Sequence, residues 1–162
     1  HKHCDRVRIA NLAQCGNVLQ SVVLTSGEKM LLTPTYHVLE MYNVHQDALL
    51  LPLDVKVNEY TFGAEKLPAV SASASRDKSG KVHISVVNID PSHEQTVTIS
   101  LRGIAAKGVS GRILTSAKVQ DYNSFEQPDA IHPVDFKGAT LKGDVLTIKL
   151  PPVAVVVLEL KS

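Results

Sequence analysis

The sequence lacks several features that mark whole classes of function. It contains no Trp, and only three Phe and four Tyr among 162 residues. A surface that binds sugar rings by stacking uses aromatic side chains, so this shortage argues against such a surface here. Lys and Arg number 17 against 16 Asp and Glu, which leaves no excess positive charge to neutralise phosphates. We therefore do not expect a nucleic-acid partner.

Long apolar runs and paired cysteines are missing too. The run Val153 to Leu158 is far shorter than the roughly 20 residues of a membrane helix. If the two cysteines, Cys4 and Cys15, lay on one helix, their Cα atoms would be roughly 16 Å apart. That separation is too large for a disulfide. The composition is 44% hydrophobic and 20% charged, which is typical of a globular chain, and the first residue is His without a leader pattern. We expect a piece of a longer protein with no membrane partner.

The first part of the chain shows helical and buried-strand patterns. Apolar residues recur at spacings of three and four from Asp5 to Asn17, which predicts a helix. Val18 to Leu24 is almost continuously apolar, as in a parallel strand buried on both faces. Thr33 and Pro34 form an N-cap followed by proline at the first helical position, so a second helix is predicted from Pro34 to about Val44. The predicted order is helix, strand, helix.

Beyond Leu49 the period changes to two, which is typical of strands with one buried face. Turn-like residues separate the alternating segments, and the stretch from Lys118 to Phe136 reads as a loop. Short strands without intervening helices predict an antiparallel, jelly-roll-like β-sandwich. The seven predicted strands are Val55 to Val57, Val70 to Ala74, Val82 to Val86, Val97 to Leu101, Val109 to Thr115, Val145 to Leu150 and Val153 to Leu160.

One domain does not normally combine a doubly buried parallel strand with an antiparallel sandwich. We therefore predict two units, residues 1–49 as the end of an α/β domain and residues 50–162 as the sandwich, with Asp47 to Leu53 crossing between them. Because the first unit has lost its neighbours, its apolar face should be exposed or covered by another copy.

Few side chains suggest chemistry. Asn58 and Glu59 lie in an alternating segment, and Glu59 is read as a solvated strand residue; Glu40 is read as a surface charge. The cluster from His1 to Cys4 has no distant second pair of ligands, and Cys15 is explained as a small buried hydrophobe. We expect no metal site and no cofactor.

Position alone selects three candidate binding residues. If Val18 to Leu24 is a strand of a barrel or of a doubly wound sheet, the loop after it faces the active site. Thr33, Tyr36 and His37 carry the polar groups best placed there. A plain N-cap explains Thr33 as well, and packing at a helix start explains Tyr36 and His37.

Several longer runs resemble a specific family. Leu32-Thr33-Pro34-Thr35-Tyr36-His37 and Asn123-Ser124-Phe125-Glu126-Gln127-Pro128 are the most specific pieces. With Ala10 to Gln14, Val86 to Pro91 and Leu150 to Pro152, they resemble the C-terminal region of glycoside hydrolase family 51 α-L-arabinofuranosidases over essentially the whole chain. The resemblance implies that residues 1–49 are the last strand and flanking helices of a catalytic (β/α)8 barrel.

The resemblance also implies a parent enzyme that removes terminal α-L-arabinofuranosyl groups from arabinan- or arabinoxylan-type chains with retention, using two Glu. Both Glu belong to earlier barrel strands, so the chain holds no catalytic residue and is expected to be inactive alone. Some relatives bind the sugar through an amide after the last strand, but Leu31, Leu32 and Thr33 occupy that stretch here. The family also suggests a homo-oligomeric parent. The alternatives are a carbohydrate-binding module and a purely structural sandwich.

Overall fold

The computed structural model describes residues 1–7 and 9–161. Their main body is an antiparallel sandwich of two sheets, as the alternating pattern predicts. Four short strands lie outside these two sheets, namely β1 (Val23–Ser26), β2 (Lys29–Leu32), β4 (Glu59–Phe62) and β5 (Glu65–Pro68). The six-stranded sheet has the order β10 (Val134–Asp135), β9 (Gly108–Thr115), β13 (Ala154–Lys161), β7 (Val82–Asn88), β6 (Val70–Arg76) and β3 (Leu49–Leu51), and the three-stranded sheet has the order β11 (Ala139–Lys142), β12 (Val145–Leu150) and β8 (Gln95–Ser100).

The main core lies between these two sheets. Alternate residues of each strand point into it, and the largest fully buried side chains include Ile84, Leu146, Ile148 and Leu158. Burying each of them stabilises the fold by about 1.5–3 kcal/mol relative to an exposed side chain. This core gives the sandwich its own hydrophobic interior, independent of the first 47 residues.

The one α-helix of the described residues lies on the outer face of the six-stranded sheet. α1 (Pro34–Tyr42) continues into a 3-10 turn (Asn43–His45). Met41 of α1 packs with Leu114 of β9, Val157 of β13 and Ile131 in a second apolar cluster. The molecule therefore has three layers, namely the three-stranded sheet, the six-stranded sheet and α1.

Polar contacts reinforce the docking of α1. Arg112 of β9 donates from Nη1 to both carboxylate oxygens of Glu40, at 2.8 and 3.0 Å. At the end of the 3-10 turn, His45 forms hydrogen bonds with the hydroxyls of Ser75, at 2.7 Å, and Ser85. Glu40, read from the sequence as a surface charge, is thus half of an ion pair between α1 and the sandwich.

The helix predicted from Asp5 to Asn17 is wrong for the residues that the structure describes there. They form turns and bends, while Arg8 lies outside the described residues. Val7, Ile9 and Leu12 are 51%, 76% and 47% exposed. A short helix gains most of its stability from packing its apolar face, and these side chains have nothing to pack against. Cys4 and Cys15 are both exposed and form no disulfide, as predicted, but the predicted reason, their separation along one helix, does not apply.

The strand predicted at Val18 to Leu24 is also wrong in its bounds and its partner. β1 begins at Val23 and pairs antiparallel with β2 through a tight turn at Ser26 to Lys29, with Gly27 at φ 59°. An isolated parallel bridge joins Gly16 to Val23. Without further strands beside it, this segment closes on itself as a hairpin and leaves Leu19 96% exposed. The expected exposure of the first unit is therefore confirmed for this segment, whereas the apolar face of α1 is covered by the sandwich.

Six of the seven predicted strands are confirmed, with ends shifted by a few residues. The exception is Val55 to Val57, which has no strand partner although Leu53, Val55 and Val57 pack against the main core. The loop predicted from Lys118 to Phe136, here called the 118–136 loop, is irregular apart from β10.

Candidate functional site

Thr33 lies between β2 and α1, where its hydroxyl and its backbone N–H both form hydrogen bonds that stabilise the turn. Its Oγ1 donates to the carbonyl of Ser21 at 2.7 Å and accepts from the N–H of Tyr36 at 3.4 Å. Its backbone N–H donates to the carbonyl of Val22 at 3.1 Å. The N-cap explanation of Thr33 is therefore correct, and its hydroxyl is also fixed in direction.

His37 and Tyr36 follow on the first turn of α1. Their rings meet edge to face with centroids 5.5 Å apart. His37 is only 8% exposed and its Nε2 has no hydrogen-bond partner, and the same is true of Oγ of Ser21, which is 3% exposed. Buried polar groups are nearly always hydrogen-bonded, and each of these two atoms has the capacity for one further hydrogen bond.

The surroundings of His37 favour its neutral form. Burial lowers the pKa of His37 below 6.5, and this effect outweighs the opposing charge of Glu40 one turn further along α1. His132 and Arg112 lower it further. A neutral imidazole donates one hydrogen bond and accepts another, which suits contact with hydroxyl groups rather than with an anion.

The 118–136 loop brings a residue to this site that the sequence analysis missed. Asn123 is 3% exposed, and its Nδ2 donates to the carbonyls of Leu32 and Ile131, each at 2.9 Å. Its Oδ1 accepts from the N–H of Ile131 at 2.7 Å. The only sequence signal was the Asn-Ser-Phe-Glu-Gln-Pro run, which carried the family resemblance but no role.

The other sequence candidates do not join this site. Glu59 is exposed on β4 and pairs with Lys66 at 3.3 Å. His1 forms a hydrogen bond with Ser73 of the sandwich at 3.0 Å, and its ring lies at a tilt against the rings of Tyr42 and His45. Within residues 1–7 and 9–161 no three His, Cys, Asp or Glu side chains converge as metal ligands do. No helix in that same part of the chain has the length and apolarity needed to cross a membrane.

The buried His37 and the half-buried His45 make the stability depend on pH. Burial lowers the pKa of both His37 and His45 below 6.5, and His83 adds to the effect at His45. As the pH falls below about 6.5 the unfolded chain takes up these protons first, so the free energy of unfolding decreases until the folded histidines also protonate. We expect a lower Tm at pH 5.5 than at pH 7.5.

The double variant His37→Gln/His45→Gln tests this origin by thermal unfolding at both pH values. Its Tm should change less between the two than that of the wild type. Carboxylates with lowered pKa values, such as Asp90, titrate well below this window. An equal pH dependence in both proteins would contradict the assignment.

Comparison with known proteins agrees with the fold. Residues 1–154 match the family model described as α-L-arabinofuranosidase C-terminal domain. The chain is 45% identical, over 99% of its length, to an intracellular exo-α-L-arabinofuranosidase from Bacteroides ovatus and covers 32% of that protein.

Solved structures give the same result. The GH51 arabinofuranosidase from Xanthomonas axonopodis pv. citri is 44% identical, with a TM-score of 0.96 over 99% of this chain and 32% of that one. The α-L-arabinofuranosidase from Thermotoga maritima, solved as an arabinose complex, is 26% identical, with a TM-score of 0.87 over 99% of this chain and 35% of that one. The chain thus spans about a third of the length of these relatives. Since the family model covers nearly all of it, the chain belongs to the C-terminal domain family of the GH51 α-L-arabinofuranosidases.

Proposed function

We propose that this chain is the C-terminal part of a retaining enzyme that hydrolyses terminal α-L-arabinofuranosyl groups of arabinan- or arabinoxylan-type chains. The observation that carries the proposal is the 44% identity and TM-score of 0.96 to a GH51 arabinofuranosidase over 99% of the chain. Retaining hydrolysis requires two carboxyl groups that flank the scissile glycosidic bond and lie about 5 Å from each other. We assign both to a barrel upstream of His1.

The surface of the first unit supports a missing barrel. Ile9 and Leu19 are 76% and 96% exposed, and Met30 on β2 is 64% exposed. A separate domain seldom leaves so many large apolar side chains in water on one short segment. We therefore assign residues 1–49 to the end of the barrel and residues 50–162 to the sandwich, with the boundary at the start of β3, whose Leu49 already pairs with Arg76 of β6.

Thr33, Tyr36 and His37 are proposed to lie at the substrate end of that barrel. Support comes from the unpaired Nε2 of His37 and Oγ of Ser21, which need a polar partner. A barrel neighbour or a sugar hydroxyl would satisfy them. The proposed role of these residues is binding, because the chemistry belongs to the upstream carboxylates. A homo-oligomeric parent remains part of the proposal on the family resemblance alone.

Separating the chain from its barrel should abolish activity. We expect residues 1–162 to hydrolyse an aryl α-L-arabinofuranoside no faster than a heat-treated control, because both carboxylates are missing. The full-length protein, measured in parallel, should hydrolyse it readily. The measurement is release of the aryl group at equal molar concentrations.

Two outcomes would overturn this assignment. Turnover by the chain alone would place catalytic residues inside it, and an inactive full-length protein would refute the activity itself. Retardation of residues 1–162 in a gel containing arabinan would instead favour the carbohydrate-binding module.

A further inference from the structure

We propose that Asn123, in the sandwich, is a positioning residue for the substrate-binding end of the barrel. This inference rests on the proposed function, because it assumes that Thr33, Tyr36 and His37 contact the sugar. It assigns to the sandwich a specific contribution to the reaction beyond general support of the barrel.

The argument begins with one peptide group. The carbonyl of Leu32 and the N–H of Thr33 belong to the same peptide plane. Asn123 donates to that carbonyl at 2.9 Å, and the N–H donates to the carbonyl of Val22 at 3.1 Å. A peptide plane bound at both ends cannot rotate without breaking a hydrogen bond. Asn123 therefore sets the backbone direction from which Thr33 projects.

The next step runs from Thr33 into α1. Oγ1 of Thr33 accepts from the N–H of Tyr36, and the carbonyl of Thr33 accepts from the N–H of His37 at 3.3 Å. The backbone N–H groups of Tyr36 and His37 are thus both bound to Thr33, so the positions of these two residues depend on it. A rotation of the Leu32–Thr33 peptide moves all three proposed binding side chains together.

Asn123 is itself held firmly enough to act in this way. Its remaining amide proton is donated to the carbonyl of Ile131 and its Oδ1 accepts from the N–H of Ile131, so both polar atoms of the side chain are paired. The side chain of Ile131, in turn, packs with Met41 near the other end of α1. The 118–136 loop therefore makes a polar contact with the last residue of β2, just before α1, and an apolar contact with α1 near its C-terminal end.

Asn88 offers a matched control within the same sandwich. It is 1% exposed and also donates from Nδ2 to backbone carbonyls, those of His93 at 3.0 Å and Pro151 at 2.9 Å. Its partners lie in the turns of the sandwich, with none in β2 or α1. Replacing either Asn by Asp removes two donors and adds a carboxylate, so both variants lose stability, but only one disturbs Thr33.

The test uses the full-length protein and an aryl α-L-arabinofuranoside, well below the unfolding temperature of each variant. Asn123→Asp should raise KM at least tenfold with a smaller change in kcat, because small misplacements of binding groups weaken substrate contact sharply. Asn88→Asp should keep both constants within twofold of wild type. Hydrogen exchange at the amides of Tyr36 and His37 should accelerate in Asn123→Asp and not in Asn88→Asp.

Each outcome decides between the two proposals. An unchanged KM in folded Asn123→Asp, or an equal rise in Asn88→Asp, overturns the positioning role while leaving the proposed activity intact. A wild-type protein that does not hydrolyse the substrate refutes the proposed function, and the role of Asn123 in that reaction with it. If Asn123→Asp does not accumulate as folded protein, the uncharged pair Asn123→Ser and Asn88→Ser is compared under the same criteria.

Discussion

Gly111→Ala should destabilise the chain by about 3 kcal/mol, because β9 has no room for a methyl group at this position. An added Cβ would lie 2.4 Å from Cδ2 of Leu158 and 2.6 Å from the carbonyl oxygen of Val157. The second atom is backbone of β13, which pairs with β9 on one side and β7 on the other. A central strand cannot shift without breaking both sets of hydrogen bonds.

The control for this substitution is Gly108→Ala in the same strand. Its Cβ would meet only Cβ of Lys161 at 3.9 Å, an ordinary contact. Thermal unfolding followed by circular dichroism measures both variants. We expect Tm to fall by roughly 6–12 °C for Gly111→Ala and to change by less than about 2 °C for Gly108→Ala. Equal shifts in the two variants would show that β13 yields more easily than its pairing implies.

The second large effect is expected for Asn88→Ala, which should cost about 3 kcal/mol. Nδ2 of Asn88 donates to the carbonyls of His93 and Pro151, and its Oδ1 accepts from the N–H of Asp90 at 3.0 Å. These bonds join the turn after β7 to the connection between β12 and β13. Alanine removes the partner of these three backbone groups and of the carbonyl of Leu150, to which Nδ2 donates at 3.4 Å, and it fills none of the space.

Urea denaturation of Asn88→Ala and of Asn58→Ala provides the comparison. Asn58 is exposed, so truncating it should change the free energy of unfolding by less than about 0.5 kcal/mol. The slope of the denaturation curve should be the same in both variants, because the surface exposed on unfolding is unchanged. A loss below about 1 kcal/mol for Asn88→Ala would mean that water replaces the amide at little cost.

The sandwich could be predicted from the sequence because its strands carry the information locally. Val82, Ile84 and Val86 alternate with polar residues, and one face of that strand is the core. The hairpin formed by β4 and β5 could not be predicted in this way. Its residues are exposed apart from the half-buried Tyr60, so no alternation marks them.

The candidate site was only partly predictable, for a different reason. Thr33 followed by Pro34 is a local capping signal, and the structure confirms the helix start that it predicts. Asn123 contacts Leu32 across 91 residues of sequence, and no local pattern encodes such a contact. The helix predicted from Asp5 to Asn17 is wrong because a local pattern was present without the distant contact that it needs. The apolar spacing is that of a helix with one buried face, but no other part of the chain that the structure describes covers Val7, Ile9 and Leu12.

The position of α1 has a consequence for motion. The helix precedes the sandwich in sequence, yet its buried residue Met41 and its ion pair from Glu40 both face the sandwich. A hinge motion that separated the two units would expose Leu114, Ile131 and Val157 to solvent. It would also break the Glu40–Arg112 ion pair. If α1 is also the last helix of the barrel, it belongs to the packed interior of both units and is not a flexible linker between them. The two units would then turn together as one rigid body, with substrate access left to smaller loop movements.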